Sequence, residues 1–324
     1  MSAVDEIEAE RRRLEGLRHA MGPVLLEQLS DPDVVEVFLN PDGLLWAEKF
    51  GSMSVIGEMS VSDANVFLRQ VASSLPGQEL VAGNAIVEGE LPLDGSRFEG
   101  VVPPIVERPA FNIRKKASKV YPLSDYVRAG ILPFDVAEML RASIIGEENI
   151  LVVGGTGSGK TTFCNALLHT MSEEVPDTRM LVMEDVRELQ CSLRNSVFMR
   201  TCESANMQRL SKVMMRMRPD RICAGEVRGG EALELLKAWN TGHPGGLCTV
   251  HANSAYKGLT RLDQLVGEVS RSSQRVLIGE AVQIAVFMAR TATGRRVKEV
   301  IRVHRYDPIS QDFVYEMLYE YRGR

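Results

Sequence analysis

The segment "GGTGSGKTT", residues 154–162, has glycines and a lysine spaced as in a phosphate-binding loop. Gly154 is followed by four residues and then by Gly159, Lys160 and Thr161, which matches the P-loop pattern G-x4-G-K-S/T at every fixed position. Glycines allow consecutive backbone N–H groups to turn toward one anion. The residues predicted to bind the phosphates of a nucleoside triphosphate are Gly154, Gly155, Thr156, Gly157, Ser158, Gly159, Lys160, Thr161 and Thr162.

The residues around this loop decide between a phosphate site and a flexible glycine-serine linker that binds nothing. Residues 150–153 form a short β-branched apolar run, and residues 161–171 have the apolar spacing of a helix. A strand, a glycine loop and a helix are the arrangement that the motif requires. We therefore predict that Lys160 places its ammonium against the outer phosphates of ATP and that the Thr161 hydroxyl completes the shell of a Mg²⁺ ion.

Four carboxylates beyond the loop could serve phosphoryl transfer. Glu226 ends the apolar run "RICAG", Glu184 and Asp185 end the run "MLVM", and Glu188 lies one turn further on. Carboxylates at such positions hold the waters of a metal ion and orient the attacking water. We predict this role for Glu184. We also predict that Asp185 and Glu226 contact Mg²⁺ through water. Glu188 fits the same role or that of a surface acid.

Two histidines lie in the segment "GHPGGLCTVHANSA". His251 follows an apolar run and is flanked by small residues, so it could donate to a γ-phosphate and report its presence. His243 lies in a loop of glycine and proline, and there a structural and a functional role stay open.

The order of apolar runs and turns predicts two domains. Residues 1–117 have an α+β pattern, with a charged helical arm at 1–25 that is either solvated or a subunit contact. This part includes a hairpin around "NPDG" and a helix capped by Ser62 or Asp63. Residues 118–133 form the predicted linker. Strands and helices alternate over residues 134–324, which predicts a parallel sheet with ligands at the carboxyl ends of its strands.

Composition excludes several classes of protein. The 324 residues are 44% hydrophobic and 25% charged and carry a net charge of −5, which argues against a surface devoted to nucleic acid. No apolar run reaches the length of a membrane span, and no signal peptide is expected. The five scattered cysteines suit a reducing cytosol and form no zinc motif, so no metal other than Mg²⁺ is expected.

Four segments taken together resemble the secretion ATPase superfamily of type II and type IV secretion. They are "GGTGSGKTT", "MEDVRE", "MRMRPDRICAGEVRGGEAL" and "AWNTGHPGGLCTVHANSA", which correspond in order to that family's Walker A, Asp, Walker B and His boxes. The residues of these motifs are similar to those of the type IV and conjugation branch, and most of all to the TrbB-like conjugal transfer ATPases. The chain has no paired C-x-x-C module, which weighs against the type II branch.

The resemblance implies an α/β fold, a RecA-like P-loop motor domain with a smaller α+β N-terminal domain. It also implies a homo-oligomeric ring, expected to be a hexamer, in the cytoplasm at the inner membrane, with secretion or mating-channel components as partners. By the family's pattern, Arg97 and Arg114 reach the nucleotide and stabilise charge on its γ-phosphate. Arg228 in "GEVRG" matches a further family arginine, and Glu226 the catalytic acid. Otherwise Arg97 and Arg114 are surface arginines in strands.

We therefore predict a motor that hydrolyses ATP with Mg²⁺ to power conjugative DNA transfer, type IV secretion or assembly of its pilus. A pilus assembly or retraction ATPase is the alternative within the family, and a RecA-like helicase or translocase is the alternative outside it. The acidic composition and the lack of an aromatic and basic stacking strip argue against direct binding of nucleic acid.

Overall fold

The computed structural model describes residues 3–49, 52–75, 78, 80–81, 84–116, 120–291 and 294–323. It divides into two compact units, Met1–Ser118 and Lys119–Arg324. Residues 117–119, where the predicted boundary between domain and linker falls, lie outside the described residues. The first unit contains one hydrophobic core cluster and the second unit contains two.

The first unit is an antiparallel sheet with helices packed on its apolar face. Its sheet has the strand order β3-β2-β1-β6-β5-β4, and every neighbouring pair is antiparallel. The elements are α1 (Ala3–Ser30), β1 (Val34–Leu39), β2 (Leu44–Lys49), β3 (Ser52–Glu58), α2 (Val61–Ser74), β4 (Ile86–Glu90), β5 (Arg97–Val101) and β6 (Ala110–Arg114).

Local sequence explains two features of the first unit. The "NPDG" turn joins β1 and β2 as expected, and Gly43 takes a φ of 90° that favours glycine. The expected cap of α2 was wrong, because Ser60 begins the helix by accepting a hydrogen bond from the Asp63 N–H at 3.1 Å. The predicted Ser62 and Asp63 lie inside the first turn.

The predicted charged arm forms most of α1. Leu17, Met21 and Leu25 are buried in the core of the first unit. Gly22, with a φ of 72°, interrupts the helix just before Pro23. Only the beginning of α1 is thus a charged, exposed segment, since its second half packs on the sheet.

The second unit is an eight-stranded sheet with helices on both faces. Its strand order is β14-β13-β12-β7-β11-β10-β8-β9, in which β12 through β9 are parallel and β13 and β14 are antiparallel. The helices are α3 (Leu123–Arg128), α4 (Phe134–Ile145), α5 (Lys160–Glu174), α6 (Met207–Met214), α7 (Glu231–Asn240), α8 (Ala255–Gly267) and α9 (Arg275–Ala281). The strands are β7 (Ile150–Gly154), β8 (Met180–Glu184), β9 (Ser196–Arg200), β10 (Arg221–Ala224), β11 (Leu247–Val250), β12 (Ile284–Thr291), β13 (Gly294–Asp307) and β14 (Asp312–Glu320).

The described part of the predicted linker belongs to this second unit. Helix α3 lies within it, and Leu123, Tyr126 and Leu132 are buried in the core. The Tyr126 ring packs edge-on against Phe163 of α5, with centroids 5.4 Å apart. Residues 120–133 therefore support the helix that follows the P-loop.

None of the helices within the described ranges combines the length and the apolar character needed to cross a membrane.

Candidate nucleotide site

The P-loop connects the carboxyl end of β7 to the amino end of α5. Gly157 and Gly159 have φ values of 70° and 93°, which side chains rarely adopt. A Cβ on Gly154 would lie 2.4 Å from the Ser158 Oγ and 2.5 Å from the Met288 carbonyl oxygen. Three glycines of the motif are thus required by the geometry of the loop.

The amino end of α5 can receive an anion. Gly159 precedes the helix without a side-chain cap, so the first backbone N–H groups are left for a ligand. The buried Ser158 hydroxyl has no hydrogen-bond partner among the described residues. Both observations fit a phosphate at this loop. Gly155, Thr156 and Thr162, which were also predicted to bind phosphate, lie in the same loop and in the first turn of α5.

Lys160, the first residue of α5, is 8% exposed. It donates hydrogen bonds to the carbonyl oxygens of Gly154, at 2.9 Å, and Gly155, at 3.1 Å. The His251 Nδ1 lies 3.4 Å from the same nitrogen. The structure thus brings together a residue of the P-loop and a residue that follows β11.

Glu226 is the centre of the next group of contacts. It follows β10 by two residues, and its Oε1 lies 2.7 Å from the His251 Nε2. Its Oε2 accepts hydrogen bonds from the Arg228 Nε and Nη2 at 2.9 and 2.6 Å. Glu226 is therefore held by the Arg228 guanidinium, while its Oε1, which is buried and has no hydrogen-bond partner among the described residues, lies close to the His251 ring.

Arg228 also approaches Asp185, whose Oδ2 lies 3.8 Å from its Nη1. Burial disfavours the charge of Arg228, but its hydrogen bond to Glu226 and the carboxylates of Asp185 and Glu188 outweigh this and raise its pKa. Asp185 accepts a further hydrogen bond from the Thr201 hydroxyl at 2.6 Å. The guanidinium thus remains charged between the acids that follow β8 and β10.

Glu184 and Glu188 differ in their surroundings. Glu184 is 4% exposed, and its Oε1 accepts hydrogen bonds from the backbone N–H groups of Glu188 and Leu189 at 2.9 and 2.7 Å. These contacts hold the turn after β8. Glu188 accepts from the Thr161 hydroxyl at 3.0 Å, so it is the acid that touches the P-loop helix.

Arg97 and Arg114 belong to the first unit. They lie directly opposite each other on the antiparallel strands β5 and β6, and both are half-buried. His243, whose role the sequence left open, has its Nδ1 3.0 Å from the Pro219 carbonyl oxygen, a local contact between loops.

Sequence reasoning missed two residues of the site. Asn165 is fully buried in α5; its amide donates to the Glu188 carbonyl oxygen at 3.3 Å and its Oδ1 accepts from the Gln190 N–H at 2.8 Å. Its position as a polar residue on the apolar face of the P-loop helix could have indicated a role at the site. Arg295 donates from its Nε to the Gly157 carbonyl oxygen at 3.0 Å, and no local pattern indicates a contact between residues 138 positions apart.

The parallel sheet, the glycine loop at the end of β7 and the acid after β10 define a P-loop protein with a RecA-like core. This confirms the expected fold class. A family model described as "Type II/IV secretion system protein" matches residues 64–300. The chain belongs to that family.

Two relatives are similar over nearly the whole chain. The probable conjugal transfer protein TrbB of Sinorhizobium fredii (strain NBRC 101917 / NGR234) is 44% identical over 94% of this chain and 93% of its own. The conjugal transfer protein TrbB of Rhizobium radiobacter is 44% identical over 93% of each chain. These matches confirm the predicted resemblance to the TrbB-like branch.

Among solved structures, the X-ray structure of the Legionella pneumophila ATPase DotB has a similar fold. The TM-score is 0.59 at 19% identity, over 88% of this chain and 80% of that one.

Proposed function

We propose that this chain hydrolyses ATP in the presence of Mg²⁺ and serves as the motor of a conjugative DNA-transfer or type IV secretion apparatus. One observation carries the chemical part: Lys160, His251 and Glu226 form a continuous line of contacts at the P-loop, with distances of 3.4 and 2.7 Å. The transport part rests on the family match and on the TrbB relatives.

Each group in this line has a role that follows from its chemistry. Lys160 exchanges its carbonyl contacts for the outer phosphates, because an ammonium interacts more strongly with phosphate charge than with neutral carbonyls. Glu226 orients and activates the attacking water. Arg228 holds the Glu226 carboxylate in place through two hydrogen bonds. His251 contacts both Lys160 and Glu226, so it can respond to the arrival of a γ-phosphate.

The oxygen donors at the loop suit Mg²⁺, which prefers hydroxyl, carboxylate and water ligands. The Thr161 hydroxyl would bind the ion directly, while Asp185 and Glu226 would reach it through water. Glu188, 3.0 Å from the Thr161 oxygen, would orient that hydroxyl or a bound water. When bound, Mg²⁺ would neutralise charge on the outer phosphates.

Arg97 and Arg114 complete the proposal as sensors of the γ-phosphate. A guanidinium carries a permanent charge, and its donor fork matches phosphate oxygens. The cross-strand pairing supports this role, because it places two such groups side by side on one face of the sheet. Loss of the γ-phosphate would release both and so couple hydrolysis to movement of the first unit.

For the assembled state we propose a hexameric ring in the cytoplasm, bound at the inner membrane to components of the mating channel. Support comes from the family and from relatives that are conjugal transfer proteins.

A mating assay tests the transport role. A strain that lacks this gene is complemented with the wild type, with Lys160→Ala or with Arg296→Ala as a control, and plasmid transfer to a recipient is counted. We expect the wild type and Arg296→Ala to restore transfer and Lys160→Ala to fail at equal protein levels. Transfer restored by Lys160→Ala would contradict the proposed motor. Hydrolysis by the purified chain that single-stranded DNA stimulates at low salt would favour a helicase instead.

A further inference from the structure

The hairpin of β12 and β13 places an arginine on the P-loop. Strand β12 runs parallel to β7, with Met288 opposite Gly154, so the end of β12 is level with the start of the loop. The hairpin continues three residues further, to Thr291, which lies opposite Gly294. Arg295, the second residue of β13, is therefore beside the loop and not beside the strand.

The contacts of Arg295 fall on the glycines that shape the loop. Its Nε donates to the Gly157 carbonyl oxygen at 3.0 Å, and its Cδ lies 3.1 Å from the position of a Cβ on Gly159. Both glycines have left-handed backbone conformations. Any residue with a side chain would be strained at these two positions. The hydrogen bond from Arg295 therefore stabilises the loop in the conformation in which its backbone N–H groups can turn toward an anion.

Within the described part of the chain, the Arg295 guanidinium donates to the neutral Gly157 carbonyl oxygen and forms no ion pair with a carboxylate. Its cross-strand neighbour on β12 is Arg290, a second cation. The adjacent Arg296 differs, since it donates to the Gly130 carbonyl oxygen and stacks on Tyr321 with 5.1 Å between its Cζ and the ring centroid. A guanidinium that has no carboxylate partner and lies at an anion-binding loop is stabilised electrostatically when an anion binds there.

The side of the sheet from which Arg295 comes distinguishes it from the hydrolytic groups. In the strand order, β12 is one neighbour of β7, while β10, which leads to Glu226, lies two strands away on the other side. Arg295 thus approaches the loop opposite to Glu226 and His251. Because Arg295 contacts the loop and not Glu226 or His251, we expect it to affect the binding of ATP and ADP alike.

We propose that Arg295 is a nucleotide-holding residue that fixes the P-loop and contributes positive charge to binding of ATP and ADP alike, with little part in hydrolysis. This rests on the proposed function, because it takes the loop to bind nucleotide. It gives the β12–β13 hairpin a direct part in the affinity of the site.

Three variants separate the effects: Arg295→Ala removes charge and hydrogen bond, Arg295→Gln keeps a donor without charge, and Arg296→Ala is the matched control on the neighbouring residue. Binding of fluorescent ADP and of a fluorescent non-hydrolysable ATP analogue is titrated at two salt concentrations, and steady-state hydrolysis gives kcat and KM. Circular dichroism verifies that each variant is folded.

We expect Arg295→Ala to weaken the binding of both nucleotides by about tenfold and to reduce the salt dependence of Kd. Its kcat should stay within about threefold of the wild-type value. Arg295→Gln should lie between it and the wild type, and Arg296→Ala should bind as the wild type does. Unchanged affinity in folded Arg295→Ala, a loss matched by Arg296→Ala, or a fall in kcat at constant affinity would each overturn the assignment. If the wild type bound nucleotide without hydrolysing it, only the proposed ATPase activity would be refuted. The binding titrations would still decide the role of Arg295.

Discussion

Arg97 on β5 lies directly opposite Arg114 on β6, and the next residues in the same row are Glu90 on β4 and Glu36 on β1. Like charges at opposed positions of antiparallel strands destabilise a sheet. The acids at both ends of the row offset part of this repulsion. A pair of adjacent arginines on one face is compatible with an anionic ligand, and the proposed contact with the γ-phosphate would place one there.

Replacing these arginines tests that contact. We expect Arg114→Ala to lower ATP hydrolysis by about 10³-fold, the low end for an arginine finger, and Arg97→Ala to act in the same direction. Either change should also reduce the preference for an ATP analogue over ADP, since ADP lacks the group that is bound. Phosphate release and competition binding measure the two effects.

Arg69→Ala is the control for this prediction, because Arg69 is an exposed arginine on α2 of the same unit. It should hydrolyse ATP at the wild-type rate. If the double variant Arg97→Ala/Arg114→Ala kept both turnover and nucleotide preference, the sensor role would be lost while the ATPase assignment would stand.

Two neighbouring glycines of the P-loop should respond differently to alanine. A Cβ on Gly154 meets a backbone oxygen of Met288 at 2.5 Å, whereas nothing lies within 4 Å of a Cβ on Gly155. We expect Gly154→Ala to lower the free energy of unfolding by about 1–3 kcal/mol and Gly155→Ala to change it little. Urea titrations without nucleotide measure both, and equal losses would show that the loop geometry is different.

The cysteines should differ in reactivity. Burial raises the pKa of the Cys164 thiol to about 12, whereas hydrogen bonds involving Ser204 lower the pKa of the exposed Cys202. A lowered pKa leaves more thiolate at a given pH, so Cys202 should react first and keep reacting as pH falls toward neutrality. Mass spectrometry after a short maleimide pulse identifies the labelled peptide. Cys202→Ser should abolish the fast phase, and early labelling of Cys164 would contradict the burial of α5.

The oligomeric state is a separate prediction. With ATP analogue and Mg²⁺ the purified chain should reach the mass of six copies in light scattering coupled to size exclusion. A monomer at every protein concentration tested would exclude the proposed ring.

Sequence patterns predicted features that depend on neighbours in the chain. The P-loop with its strand and helix and the hairpin of β1 and β2 follow from spacing and turn residues, and the structure confirms them. Gly242 follows α7 with a φ of 107°, a conformation that favours glycine where a helix ends.

What the sequence did not reveal depends on contacts between distant segments. The burial of α3 within the predicted linker requires the ring of Phe163, 37 positions after Tyr126. The contacts by which Glu184 holds a turn involve two backbone N–H groups that only the fold presents, and its predicted metal role stays a prediction. Arg295 reaches Gly157 through the pairing of β12 with β7, which no local pattern encodes.

The proposed hydrolysis is tested most sharply by the effect of Glu226→Gln on ATP turnover and on ATP binding. Glutamine keeps the size of the side chain but cannot accept a proton from water, so turnover should stop while ATP and Mg²⁺ still bind. Phosphate release is measured at saturating ATP, and the affinity for fluorescent ATP is measured on the same preparation. We predict a loss of at least about 10²-fold in kcat with Kd within a few-fold of the wild type. Phosphate release by Glu226→Gln at the wild-type rate would show that Glu226 is not the hydrolytic acid.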